Sequence, residues 1–259
     1  MLKNIIKLQK YKKERKNKNL FIVEGYLEIK MALKGNFKLK KVFICKKIFN
    51  KKKKDFSIFK KFIFFINKKN YSKISYRKNS EGIIGIFKNK KINYEKKINK
   101  LIKKKNIFII LDNLEKPGNI GSIIRTVETT KIIDFIIFNN FKDIYNPNII
   151  RSSLGTIFIF PIFILSFQKI LKIINKNSIF LLGTSIQKKK NISLYNIKFN
   201  YNKLAIIFGN EHYGINKIWY KYIKYNINIP MFGFINSLNV SVSVAIILFE
   251  ILRQKIYSI

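Results

Sequence analysis

The run Ile227-Asn228-Ile229-Pro230-Met231-Phe232-Gly233-Phe234-Ile235-Asn236-Ser237-Leu238-Asn239-Val240-Ser241-Val242 decides how the rest of the chain is read. It starts as a short β-branched run and stops at Pro230, which has no amide hydrogen to give a neighbouring strand. Gly233 turns the chain. Ser237 and Asn239 then offer side-chain oxygens to the unpaired amides of a helix's first turn. The helix behind them, lasting to about Arg253, is apolar almost all round: Leu238, Val240, Val242, Val244, Ala245, Ile246, Ile247, Leu248 and Phe249. Such a helix must be buried on every face, within a core or against a second copy of the chain. Strand, broken turn, polar cap and buried helix make a loop that presents backbone groups to a ligand.

Two other stretches converge on this one. Leu204–Phe208 is a continuous apolar run, as in a parallel strand covered on both faces, and leads into Gly209-Asn210-Glu211-His212-Tyr213-Gly214. Ile107–Leu111 is a second such run, followed by Asp112-Asn113-Leu114-Glu115-Lys116-Pro117-Gly118-Asn119-Ile120-Gly121-Ser122-Ile123-Ile124-Arg125-Thr126. Ligands of parallel sheets bind beyond the carboxyl ends of the strands. Between these runs the pattern predicts a helix over 120–130, a strand over 132–138, a helix near 145–154 and a strand over 157–160. A helix from about Phe167, a strand over 179–182 and a helix near Ile218 follow. The fold class is therefore α/β, with a mostly parallel C-terminal sheet covered by helices.

The formal charge of +40 is unevenly spread. Residues 1–105 hold 35 Lys and Arg against 6 Asp and Glu, a net +29, whereas residues 106–259 hold 18 against 7, a net +11. A dense positive field in one part of a chain points to a polyanion, most often nucleic acid. The crowding of Lys, Ile, Asn, Phe and Tyr also fits codon bias in an AT-rich genome. Residues 1–18 read as a cationic helix, and strands follow over 20–24, 41–45, 62–66 and 83–87. This is a small N-terminal α/β unit over 1–90. Residues 91–105, nearly all Lys, Asn and Ile, read as a basic linker.

The lone Cys45 excludes an internal disulfide and a Cys-based zinc cluster, and the lone His212 leaves no ordinary metal ligand set, so no metal is expected. There is no G-x-G-x-x-G. No apolar run reaches the ~18 residues that span a bilayer; the longest, 155–167, is broken by Pro161. The basic N-terminus lacks an apolar secretory core, and the expectation is a cytoplasmic protein without membrane attachment.

The three C-terminal stretches, in order, resemble the three motifs of the SpoU (TrmH-type) RNA 2′-O-methyltransferases of the SPOUT superfamily. They are N-x-G-x-x-x-R-T at 119–126, G-N-E at 209–211 and I-P-M-x-G-x-x-x-S-L-N-V-S-V at 229–242. The F-I-V-E-G turn at 21–25 after a basic helix is similar to the RNA-binding domain, of ribosomal-protein-like fold, that precedes many such catalytic domains. The resemblance implies a catalytic domain over 106–259 with a trefoil knot, S-adenosyl-L-methionine as methyl donor, and a homodimer formed through the C-terminal helix. It implies RNA as partner, with large-subunit rRNA favoured and tRNA, or a non-catalytic RNA-binding role, left open.

Residue by residue, the resemblance assigns donor binding to Thr184, Gly209, Asn210, Ile229, Met231 and Leu238. It assigns catalysis to Asn119, Arg125, Glu211, Ser237 and Asn239. RNA contact is expected at Lys12, Lys13, Arg15 and Lys16, and at Arg151 in the Arg151-Ser152-Ser153-Leu154-Gly155 turn. The ordinary alternative for Arg125 is a surface ion pair with Glu128. A guanidinium is too weak an acid to serve as a base, so Arg125 is read as a clamp on phosphate and on the developing alkoxide. Two departures from the family pattern, His212 and Lys131 where glycine is usual, are expected to strain their loops.

Overall fold

A computed structural model describes residues 2–49, 62–77, 79–90, 98, 100–102, 106–184, 191–234 and 237–257. The chain forms two compact units, Met1–Ile92 with Asp143–Ile159, and Asn93–Lys142 with Phe160–Ile259. The segment 143–159 packs with the first of these compact units, while lying within the range 106–259 that the sequence reading gives to the catalytic domain. Most of the expected linker 91–105 lies outside the described residues. Its described apolar members, Ile98, Leu101 and Ile102, pack into the core of the second unit.

In the first unit, helices α1 (Leu2–Lys10) and α2 (Lys12–Lys18) replace the single helix expected over 1–18. The break is at Tyr11, whose backbone is extended. Buried Arg15 stabilises it by donating from Nη1 to the carbonyls of Leu8 and Gln9, 2.6 and 2.8 Å away, which the end of α1 leaves unpaired. Strand β1 (Leu20–Glu24), helix α3 (Tyr26–Lys34), strands β2 (Lys38–Ile44) and β3 (Ile63–Phe65), helix α4 (Lys68–Ile74) and strand β4 (Ile83–Lys88) follow. The sheet order is β1-β4-β2-β3, with β4 antiparallel to both neighbours and β2 parallel to β3. One sheet face packs Ile22, Phe43, Cys45, Ile84 and Ile86 on Ile5, Leu8, Tyr71 and Ile74 of the helices.

The segment 143–159 joins this unit through rings and charge. Tyr145 stacks on Phe21 at 4.4 Å, Phe158 meets Phe37 edge-on at 5.2 Å, and Asp143 accepts two hydrogen bonds from Arg15. Its regular structure is a short helix, Pro147–Ser152, and a 3-10 turn, Thr156–Phe158. The strand expected over 157–160 forms instead beyond Pro161.

The second unit contains β5 (Asn106–Asp112), α5 (Pro117–Thr130), β6 (Phe135–Asn139), β7 (Ile162–Leu165) and α6 (Phe167–Lys176). Strands β8 (Phe180–Thr184), β9 (Asn191–Ser193), β10 (Lys203–Phe208) and β11 (Tyr225–Asn228) follow, and helix α7 (Val240–Tyr257) closes it. They build a seven-stranded sheet ordered β7-β6-β5-β10-β8-β11-β9, and every pairing is parallel. All residues of β5 are buried, as continuous apolar strands require of a sheet covered on both faces. Phe108, Ile110, Ala205 and Ile207 meet Ile170 and Ile174 of α6 and Trp219 of a 3-10 turn, while α5 and α7 pack on each other.

Helix α7 is buried within its own chain on one side only. Val240, Val244, Ile247, Leu248 and Ile251 are buried, but Val242, Phe249 and Ile256 are 45%, 51% and 63% exposed. Spaced at i, i+7 and i+14, these three share one side of the helix, which the described residues leave exposed.

Candidate functional site

Because every strand of the second sheet runs the same way, the carboxyl ends of β5, β8, β10 and β11 lie on one side. Between the end of β8, the loops after β10 and β11 and the start of α7 lies a cleft of about 470 Å³. Thr184, Gly209, Asn210, Ile229, Met231 and Leu238 all line it, as do Glu211 and Ser237. His212, Tyr213, Ser243 and Ile247 line it too, and the sequence reading did not include them. Val240, Ser243 and Ile247 follow one another at i, i+3 and i+7 behind the helix cap, a helical spacing that would have found them.

The loop 209–214 is built from its own backbone. Asn210 and Gly214 exchange two backbone hydrogen bonds of 2.9 and 3.0 Å, with Gly214 in the left-handed region at φ +67°. The Asn210 side chain accepts from the amides of His212 (2.8 Å) and Tyr213 (3.2 Å) and donates to the carbonyl of Asn113 (2.9 Å), tying this loop to the one after β5. A Cβ on Gly209 would lie 2.1 Å from the carbonyl carbon of Gly214. Residue 209 is therefore glycine because the chain's own loop crosses it. The Thr184 hydroxyl donates to the carbonyl of Ile207 at 2.9 Å, locking β8 to β10 at the cleft floor.

Three of the expected catalytic residues form one network. Helix α5 begins at Pro117, earlier than the sequence suggested, so Asn119 sits in its first turn. Asn119 Nδ2 donates to Glu211 Oε1 (2.7 Å), and its Oδ1 accepts from Asn239 Nδ2 (3.1 Å). Asn239 in turn caps α7, its Oδ1 accepting from the Ser241 amide at 2.9 Å and the Ser241 hydroxyl at 2.7 Å. One asparagine thus joins the starts of two helices to the G-N-E loop.

Arg125 stands apart. Six residues along α5 from Asn119, it is about 120° round and about 9 Å along the axis. It is exposed, its guanidinium makes no hydrogen bond or ion pair among the described residues, and Glu128 is not its partner. Of the two positions flagged for strain, Lys131 does adopt the left-handed conformation, φ 52°, as the C-cap of α5. His212 needs no positive φ and is exposed at the cleft lip.

In the first unit Lys12, Lys13 and Lys16 are exposed, as is Arg151. Arg15 is not available to a polyanion: it is buried, paired with Asp143 and bonded to two carbonyls. Its place in a run of cations hid this role. Among the described residues no group of three or more His, Cys, Asp or Glu could hold a metal, and no helix is long and apolar enough to cross a membrane.

The sequence profile of the SpoU rRNA methylase family matches residues 106–249, and that of the MRM3-like substrate binding domain matches residues 1–85. An uncharacterized tRNA/rRNA methyltransferase of Borreliella burgdorferi is 34% identical over 73% of this chain and 86% of its own length. The 23S rRNA (uridine(2479)-2′-O)-methyltransferase of Streptomyces viridochromogenes is 30% identical over 57% of this chain and 53% of its own. The fold matches a Streptomyces viridochromogenes SpoU methyltransferase in complex with AdoMet, with a TM-score of 0.83, 19% identity, and 98% and 97% of the two chains covered.

Proposed function

The chain belongs to the SpoU rRNA methylase family and is an RNA methyltransferase whose methyl donor is S-adenosyl-L-methionine; from that premise we propose that it methylates a ribose 2′-hydroxyl of structured RNA, in large-subunit rRNA. The observation that carries the reading is the convergence of all six expected donor-binding residues on one cleft, with Asn119, Glu211 and Asn239 hydrogen-bonded beside it. The cleft fits the donor. Ile229, Met231, Leu238 and Ile247 offer apolar surface to a purine, loop backbone offers hydrogen bonds, and Glu211 is a carboxylate suited to a cationic sulfur.

When bound, S-adenosyl-L-methionine supplies an activated methyl group. The chain holds the loop 209–214 rigid through Asn210 and Asn119, so its backbone is positioned before ligand arrives. Arg125, exposed and without a side-chain partner among the described residues, is the group that clamps the phosphate beside the target ribose and steadies charge on its oxygen, while the hydroxyl proton leaves to a phosphate oxygen or water. The rRNA target rests on the basic N-terminal unit with its substrate-binding match and on the named streptomycete relative.

The uncovered side of α7, with exposed Leu238, Phe232 and Phe234 just before it, supports a homodimer through this helix. Knotting of the C-terminal stretch and a cytoplasmic location are parts of the same reading, resting on family membership. Mapping ribose methylation in RNA from cells with and without the gene tests the function. A lost mark in large-subunit rRNA is expected; a lost mark confined to tRNA would move the target, and unchanged RNA would sink the enzyme reading.

A further inference from the structure

We propose that the edge strand of the first unit's sheet, β3, is a stacking platform for unpaired RNA bases. This rests on the reading of the first unit as the part of the chain that holds RNA. Phe62, Phe64 and Phe65 crowd this strand and its entrance, and they are 37%, 40% and 54% exposed. Edge strands ordinarily carry polar or charged side chains, because exposed apolar edges invite aggregation. Three half-open phenylalanines here therefore call for an occupant.

The surroundings select its chemistry. Register pairs Phe43 with Phe64 and Ile44 with Phe65, so Phe64 points to the face of buried Phe43 and Phe65 to the opposite one. On the first face the Lys41 ammonium sits 5.1 Å from the Phe64 ring centre, and Phe43 backs that ring at 5.7 Å, nearly parallel. On the second face the Lys46 ammonium sits 4.1 Å from the Phe65 ring centre. Each side of the strand thus presents one aromatic face with one cation over it. Lys38 and Lys40 of the neighbouring strand are exposed as well. An aromatic face takes a base and an ammonium beside it takes the adjoining phosphate, which is how sequence-tolerant single-strand sites are built. Duplex RNA hides its base faces and offers only phosphates and hydroxyls to such a surface. The occupant is therefore RNA with splayed-out nucleotides, such as a hairpin loop. As a base covers each ring, its lysine moves onto phosphate.

Two RNAs of equal length and charge separate the outcomes: a hairpin with an unpaired loop and a fully paired duplex, titrated onto the full-length protein across a salt series. Phe64→Ala with Phe65→Ala should weaken hairpin binding by about tenfold without changing the salt slope, and leave duplex binding within about twofold. Phe65→Leu, which keeps apolar bulk and spares the fold, should lose affinity for the hairpin too, whereas Phe65→Trp should keep it. Lys41→Gln with Lys46→Gln should lower the salt slope. Equal losses for hairpin and duplex, or full hairpin affinity in Phe65→Leu, would overturn the platform while leaving RNA binding standing. A wild-type protein that binds neither RNA would overturn the reading it rests on as well. Impaired binding to phosphatidylglycerol vesicles with hairpin affinity intact would assign the patch to membrane and overturn the proposal.

Discussion

Arg125 and Gly209 show how a single position is governed by what surrounds it. Arg125 is held by nothing in its own chain among the described residues, so removing it costs the fold little, and its whole effect should fall on chemistry. Arg125→Ala is expected to slow single-turnover methylation by about a hundredfold with donor affinity nearly unchanged. Arg125→Lys should be almost as slow, because an ammonium keeps the charge but loses the planar two-point grip. A lysine variant at wild-type rate would refute the clamp. Gly209 is the reverse case. Its place among the residues proposed to bind the donor implies that a side chain there would block the donor, but the atoms a Cβ would strike are those of Gly214 and Ile215. Gly209→Ala should therefore distort the 209–214 loop and lower the melting temperature together with donor affinity. Thermal unfolding paired with donor calorimetry checks this, and weaker binding at unchanged stability would count against it.

At the scale of elements, the C-terminal helix carries a polar device that its apolar sequence conceals. Glu250 and Gln254 are buried near its end. Arg253 holds the Glu250 carboxylate with two hydrogen bonds of 2.8 Å, and Gln254 adds a third. Gln254 also bonds the carbonyl of Ile197 and the amide of Phe199, pinning the helix end to that loop. The hydrogen bond from Arg253 outweighs burial and holds the Glu250 carboxyl below the usual carboxylate range. A carboxyl lowered in the folded state stabilises above its unfolded pKa, and this is lost as pH falls through the acid range beneath it. Glu250→Gln should thus melt lower than wild type near neutrality, and the gap should close as the pH falls through the acid range below the ordinary carboxylate pKa. A gap constant with pH, in melts across that range, would mean the charge is immaterial. The strand-loop-helix order was legible because continuous apolar runs and punctuating Gly, Pro and Asn are local signals. The pinning of the helix end by Gln254 was not, because its partners at 197 and 199 lie some fifty residues away in sequence. The same reason hid the Asn119–Glu211 bond, although its two members were both singled out.

Over the whole molecule, chain order and compact units part company. The basic N-terminal charge and the three C-terminal motifs suggest a cut near residue 90, and the segment 143–159, beyond that cut in the chain, packs with the first unit. Nothing local in that segment announces this: Tyr145 and Phe158 read as core residues of whichever unit holds them, and only Phe21, Phe37 and Arg15 decide which. A deletion of residues 1–90 therefore does more than remove charge. It strips Tyr145 and Phe158 of stacked partners worth about 0.5–1.5 kcal/mol each beyond their area, and leaves Asp143 without Arg15. The truncated protein should bind an apolar dye and self-associate, whereas the same deletion with 143–159 replaced by a short Gly-Ser linker should stay monodisperse or dimeric and bind the donor. A plain deletion with no dye binding would show that the segment is stable alone. The contribution of charge to RNA affinity is for that reason measured in the intact chain. Replacing Lys12, Lys13 and Lys16 by glutamine removes three exposed cations and should flatten the salt dependence by up to about three units of slope, one for each phosphate that then keeps its counterion. Arg15→Gln, which removes a cation of the same run but a buried one, should instead lower stability and leave the slope alone.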